Sequence, residues 1–167
     1  IKYFINSNIS FIIIVTNVGY KDLVQEQLPD LRDEQILLEP SRKNTAPCIA
    51  YAAYKINDEN KDANIIVAPS DHLIIKEIDF QNTIKRAINK AESENCLLTI
   101  GIKPSRPDTG YGYIQFDDDN NPDQPIKKVH TFTEKPPLDV AKSFIESGEF
   151  CWNSGMFIWN VKSIIAA

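Results

Sequence analysis

A chain of 167 residues with 43% hydrophobic content can bury a sizeable core, and its net charge of −5 argues against a general nucleic-acid binder. The longest apolar run, Phe11 to Val15, is too short to cross a bilayer, so no membrane association is expected. Cys48, Cys96 and Cys151 stand far apart without metal-type spacing and read as buried thiols of a reducing, cytoplasmic compartment.

Ser10 to Thr16 reads as a buried strand and Tyr20 to Leu28 as a helix closed by Pro29. Gln35 to Glu39 is a second short strand. A helix then runs to about Asn57, with Asn44 or Thr45 as its N-cap and Ile49, Ala52, Ala53 and Ile56 as its packing stripe. Pro47 falls in its first turn, where a missing N–H costs nothing. Ile65 to Ala68 is a β-branched run of the kind buried on both faces of a parallel sheet, and Pro69 ends its ladder. Asp79 can cap a helix carrying Phe80, Ile84, Ile88 and Ala91 on one face, and Leu97 to Ile102 is another strand. This alternation of strand and helix predicts a doubly wound parallel sheet.

The pattern then changes. Tyr111 to Phe116 and Ile126 to Thr133 read as strands joined by a turn rich in Asp, Asn and Pro, whose adjacent acids are a solvated turn rather than a cation site. Leu138 to Ser147 is a helix stopped at Gly148, and Phe157 to Val161 is the last strand. No internal repeat is present. The chain opens without methionine or a leader peptide and closes inside the apolar segment Val161 to Ala167; both ends read as cut.

Polar and small residues gather where strands end and helices begin. Ser70-Asp71-His72 follows the 65–68 strand, at the carboxyl edge where open α/β sheets bind ligands. Asp71 suits a divalent cation held against phosphate oxygens, and equally suits a turn. Arg42-Lys43-Asn44-Thr45 sets two cations at a helix N-terminus, fit for a nucleotide's phosphate or base edge or for an ordinary capped helix. Asp108-Thr-Gly-Tyr-Gly-Tyr113 surrounds Tyr111 with glycines that let backbone approach a sugar hydroxyl, or that merely turn a loop. Glu134 can accept from paired hydroxyls while Lys135 offers a point charge for phosphate; the alternative is an exposed ion pair. Trp152-Asn-Ser-Gly-Met156 combines amide, hydroxyl and glycine before a strand, and is otherwise an aromatic-flanked turn. His72 and His130 lack partners at ligand spacing and read as structural. Gly110-Tyr-Gly112 lacks the strand–turn–helix context of a dinucleotide fingerprint.

Together these loops resemble the sugar-1-phosphate nucleotidylyltransferases, in particular their guanylyl-transferring branch. The residues concerned are Glu39 to Pro47, Pro69-Ser-Asp-His72, Thr99 to Pro104 with Thr109 to Ile114, Phe132 to Pro136, and Trp152 to Phe157. They follow the family's order and cover nearly the whole chain. The resemblance implies an α/β fold of three layers, with a Rossmann-like, mostly parallel central sheet and an inserted antiparallel hairpin. It implies transfer of GMP from GTP to mannose 1-phosphate, with Mg²⁺ as cofactor and a homo-oligomer allowed. A transferase using dTTP or UTP with glucose 1-phosphate, and a non-catalytic sugar-nucleotide-binding fragment, are the alternatives.

By that resemblance Asp71 is the metal ligand and, with Lys135, catalytic; Lys135 meets the sugar's phosphate. Arg42, Lys43, Asn44, Thr45 and Ser70 are nucleotide-binding, and Tyr111, Gly112, Glu134, Asn153 and Ser154 are sugar-binding. Residues 1–167 are then one nucleotidyltransferase core, incomplete at both ends and inactive alone. The family's Gly-x-Gly-Thr-Arg-Leu phosphate loop would precede Ile1 and its second metal-binding Asp would follow Ala167. Ser41-Arg-Lys43 also stands where many relatives have a Gly-Arg pair.

Overall fold

The computed structural model describes residues 9–41, 43–117 and 125–167, and the chain divides into two compact units. One runs to Leu97 and takes back Ile158–Ala167; the other is Leu98–Phe157.

Parallel pairing begins the first unit. β1 (Ile14–Thr16) lies beside β2 (Ile36–Leu38), with Ile14 opposite Ile36 and Thr16 opposite Leu38. The crossover between them carries α1 (Lys21–Gln27), flanked by single 3₁₀ turns at Val18–Tyr20 and Asp33–Gln35. Each strand is shorter than the apolar run that predicted it. Gln35 turns its side chain to the Ile12 carbonyl at 2.8 Å, a contact outside the ladder.

α2 (Thr45–Glu59) buries Ala53 and packs against α5 (Val161–Ala166). β3 (Asn64–Val67) neighbours β7 (Phe150–Asn160), whose last residues belong to this unit. The Val161 N–H donates to the Ala63 carbonyl at 2.8 Å, and Asn160 Nδ2 donates to the Asp62 carbonyl at 3.2 Å. Lys162 Nζ meets the Asp62 carboxylate at 2.5 Å and, by donating to it, holds it below the ordinary carboxylate range. α3 (Glu77–Ser93) buries Ile84, Ala87 and Ala91, one stripe at helical spacing. The expected cap at Asp79 is corrected: the helix begins earlier, with Lys76 at the N-cap position. Asp79 is instead a first-turn acid, favourable to the helix dipole from inside.

In the second unit β4 (Leu97–Ile102) pairs with β7, and β5 (Tyr113–Phe116) lies antiparallel to both β7 and β6 (Val129–Thr133). Tyr113 stands opposite Trp152 on one side and Thr133 on the other. α4 (Leu138–Ser147) ends at Gly148, which takes φ +74°. Its Ala141 is buried with Tyr113 and Trp152, and Phe144 stacks on Phe150 at 3.8 Å between ring centres. Of the acidic turn expected at 117–123, Asp117 is described and the rest lies outside the described residues.

β7 corrects a second expectation. The sequence set Trp152 to Met156 ahead of a strand that began only at Phe157, but the strand is unbroken from Phe150 to Asn160, and Val161 opens α5. Trp152, Ser154, Met156 and Ile158 alternate as buried residues, the period of a strand. The turn-like polar residues fit because they bond locally: Asn153 Oδ1 accepts from the Gly155 N–H at 3.0 Å and Ser154 Oγ from the Met156 N–H at 3.1 Å. Gly155 takes φ +71°, which its missing Cβ permits. The α/β class with a parallel pair and an antiparallel hairpin is the expected one, although β1 and β2 form a sheet of their own.

Candidate functional site

The candidate residues of the first unit sit at two chain reversals. Ser70 and Asp71 form the turn after β3, both exposed. Among the described residues, none forms an ion pair with Asp71. Lys43, Asn44 and Thr45 are exposed at the start of α2, while Arg42 lies outside the described residues. Asn44 has φ 68° and ψ −164°, a conformation kept almost wholly by glycine, and its side chain caps nothing. Among the described residues, no three His, Cys, Asp or Glu side chains gather as a metal cage. A mixed hollow in which Glu34, Lys55 and Glu59 join Phe11, Ile13 and Ile36 contains none of the candidate residues.

The second unit draws its candidates together. A Cβ built on Gly112 would lie 2.9 Å from Glu134 Oε2 and 3.6 Å from the Asn153 Cβ, so the carboxylate occupies the space a side chain would need. The Asn153 N–H donates to the Gly112 carbonyl at 2.8 Å, which ties the Gly112 loop to β7. Lys135 Nζ stands 3.3 Å from Glu134 Oε1 with both side chains largely exposed, so the pair adds little stability and is easily exchanged for a ligand. Among the described residues, the non-glycine positive φ values are those of Asn44 and Lys135, the latter at 42°. Ser154, by contrast, is buried and its hydroxyl bonds the Met156 amide.

Around this group lies a scaffold in which Arg106, which the motif pattern did not single out, joins Asp108, Tyr113 and Trp152. The Tyr113 hydroxyl donates to the Asp108 carbonyl at 2.9 Å and accepts from the Asp108 N–H at 3.0 Å, which closes the glycine loop on itself. The Gly110 N–H, followed by the Arg106 guanidinium at 2.6 Å, holds the Asp108 carboxyl below the ordinary range. Tyr111 and Arg106 both lie against the Trp152 indole, at 5.0 Å and 5.4 Å. The signal for this scaffold was the Arg-Pro-Asp run before the glycines, an Asx-turn composition. Cys48, Cys96 and Cys151 are free and half-buried, and burial pushes all three thiols up.

The candidate residues thus stand in the turn after β3, at the start of α2 and around the Gly112 loop of an α/β fold. The chain belongs to the nucleotidyl transferase family, whose profile matches residues 1–166. It is 44% identical over 161 residues to the mannose-1-phosphate guanylyltransferase of Escherichia coli, covering 93% of this chain and 34% of that protein. Against the alginate biosynthesis protein AlgA of Pseudomonas aeruginosa the identity is 40% over 149 residues, 88% of this chain and 31% of the relative. The chain thus spans about a third of the length of these curated relatives. Among solved structures it matches mannose-6-phosphate isomerase from Helicobacter pylori with a TM-score of 0.81 at 34% identity, over 95% of this chain and 59% of that one. Mannose-1-phosphate geranyltransferase from Thermus thermophilus shares the fold, with a TM-score of 0.80 at 23% identity over 92% of this chain and 43% of that one. Among the described residues, no helix is long and apolar enough to cross a membrane.

Proposed function

We propose that this chain belongs to the catalytic core of an enzyme that transfers GMP from GTP to mannose 1-phosphate, giving GDP-mannose and pyrophosphate. A phosphate oxygen of the sugar phosphate attacks the α-phosphorus of GTP. The bond from that phosphorus to the bridging oxygen breaks, and pyrophosphate leaves with the electron pair. No covalent intermediate with the protein is needed, so the protein's work is positioning and charge neutralisation. Lys43, Asn44, Thr45 and Ser70, with Arg42, hold the nucleotide. Tyr111, Gly112, Glu134 and Asn153 hold the hexose, with Ser154 behind them, and Lys135 neutralises the attacking phosphate.

The observation that carries this reading is the Glu134 carboxylate set over the bare Gly112 backbone beside Asn153. A carboxylate there accepts from sugar hydroxyls, and glycine leaves room for the ring. Asp71 fits as a magnesium ligand, because Mg²⁺ is usually held through one or two carboxylates with substrate phosphates completing its shell. When bound, the ion would offset negative charge on the triphosphate. The half-buried free thiols support a reducing, cytoplasmic setting.

Pyrophosphate release by the intact protein, measured with GTP, UTP and dTTP against mannose 1-phosphate and glucose 1-phosphate, tests the proposal. GTP with mannose 1-phosphate is expected to turn over fastest, and preference for another pair would reassign the substrates. Asp71→Asn should lower turnover by about two orders of magnitude or more, the scale of losing one transition-state charge partner, while the melting temperature stays put. Lys135→Ala should raise the KM for mannose 1-phosphate and spare that for GTP. A near-normal rate for Asp71→Asn at saturating Mg²⁺ removes Asp71 from the chemistry.

A further inference from the structure

We infer that Thr99 is a positioning residue for the sugar pocket, fixing the Asn153 amide so that the pocket offers its ligand an N–H donor beside the Glu134 acceptor. The inference rests on the sugar-binding reading of Gly112, Glu134 and Asn153.

Asn153 Oδ1 has two neighbours, the Gly155 N–H at 3.0 Å and Thr99 Oγ1 at 3.4 Å. A backbone N–H can only donate, so the amide atom facing it is the oxygen; turned over, the amide would set two donors against each other. Nδ2, with both its hydrogens, is then on the side away from Gly155 and bonds no other described residue. Thr99 Oγ1 donates its single proton chiefly to the Met156 carbonyl at 3.1 Å, with the Asn153 oxygen as the weaker acceptor. One hydroxyl on β4 therefore braces both ends of Asn153–Met156, the stretch in which Gly155 takes φ +71°. The Asn153 backbone is pinned separately to Gly112, so what Thr99 adds to the Gly155 N–H is a second, weaker hold on the direction of the side chain.

A donor and a carboxylate side by side match a sugar hydroxyl pair. One hydroxyl donates to the carboxylate while its neighbour accepts from the amide. A ligand that offers only donors toward Asn153 would leave the amide hydrogens unpaired, and such a mismatch discriminates strongly.

The test uses the intact enzyme with Thr99→Val, which keeps the shape and removes the hydroxyl, and Thr99→Ser, which restores it. Asn153→Asp keeps an acceptor for Gly155 and replaces the donor by a second acceptor. Thr99→Val should raise the KM for mannose 1-phosphate about fivefold, the worth of one ordinary hydrogen bond, with kcat and the KM for GTP unchanged. Thr99→Ser should return to the wild-type value, and Asn153→Asp should weaken sugar phosphate binding more than Thr99→Val does. An unchanged sugar KM in Thr99→Val, or an equal rise in the KM for GTP, overturns the positioning role. Wild-type affinity in Asn153→Asp overturns the donor assignment. If calorimetry on the wild-type protein detects neither mannose 1-phosphate nor glucose 1-phosphate, the sugar-binding reading itself falls and takes this inference with it.

Discussion

Gly112 shows how much one missing methyl group decides. Its backbone makes an ordinary bond to Asn153, and the glycine lets the Glu134 carboxylate stay where it is, since Oε2 lies 2.9 Å from where a Cβ would stand. Gly112→Ala must push the carboxylate outward, and the exposed Glu134 can move without disturbing the core. The expected result is a fold of unchanged stability, within about 0.5 kcal/mol, with mannose 1-phosphate binding weakened at least tenfold by calorimetry. Loss of stability with intact binding would make Gly112 a packing glycine only. Residues such as Glu134, Lys135 and Gly112 were legible in the sequence because charge and glycine are conspicuous beside a strand. Thr99 opens one of the resembling motifs, but its bracing role was not legible, since a threonine inside Leu97 to Ile102 reads as one more β-former and its partners lie more than fifty positions away. The strain at Asn44 and Lys135 was equally hidden, because neither residue type signals a positive φ by itself.

At the scale of elements, α4 was legible to the residue because an apolar stripe, an acidic first turn and a terminal glycine all agree. Its stop can be tested by itself. A Cβ on Gly148 meets nothing within 4 Å, so any cost of Gly148→Ala comes from φ +74° rather than from a clash. Urea denaturation should show a loss of about 1 kcal/mol, with Gly148→Asn losing less because asparagine tolerates the left-handed region. An alanine variant as stable as the wild type would mean that the helix does not end in this conformation. β7 was misread for the opposite reason. Its local signals, Asn-Ser-Gly, favour a turn, and they are overridden by alternate burial of Trp152, Ser154, Met156 and Ile158 and by pairing with strands distant in sequence. β1 and β2 shrank because an apolar run records burial as readily as it records strand.

For the molecule as a whole, the proposed labour divides between the two units. The residues proposed for base and phosphate, Lys43, Asn44, Thr45, Ser70 and Asp71, lie in the unit that takes back Ile158–Ala167, and those proposed for the sugar hydroxyls, Tyr111, Gly112, Glu134 and Asn153, in Leu98–Phe157. Alternation of strand and helix along the chain could not reveal that division, because β7 runs through the boundary without a break. Amide hydrogen exchange on the chain as it stands reads it directly. A ligand at a hundred times its dissociation constant stabilises the binding-competent form by about 2.7 kcal/mol, enough to slow exchange through that opening about a hundredfold. GTP should therefore protect the amides of residues 43–49 and 70–73, and mannose 1-phosphate those of 110–113, 134–135 and 152–155. Each ligand should leave the other's segments near their free rates when added alone. Protection by GTP confined to the glycine loop and β7 would reverse the assignment, since the pocket lined by Glu134 would then be recognising the ribose rather than the hexose.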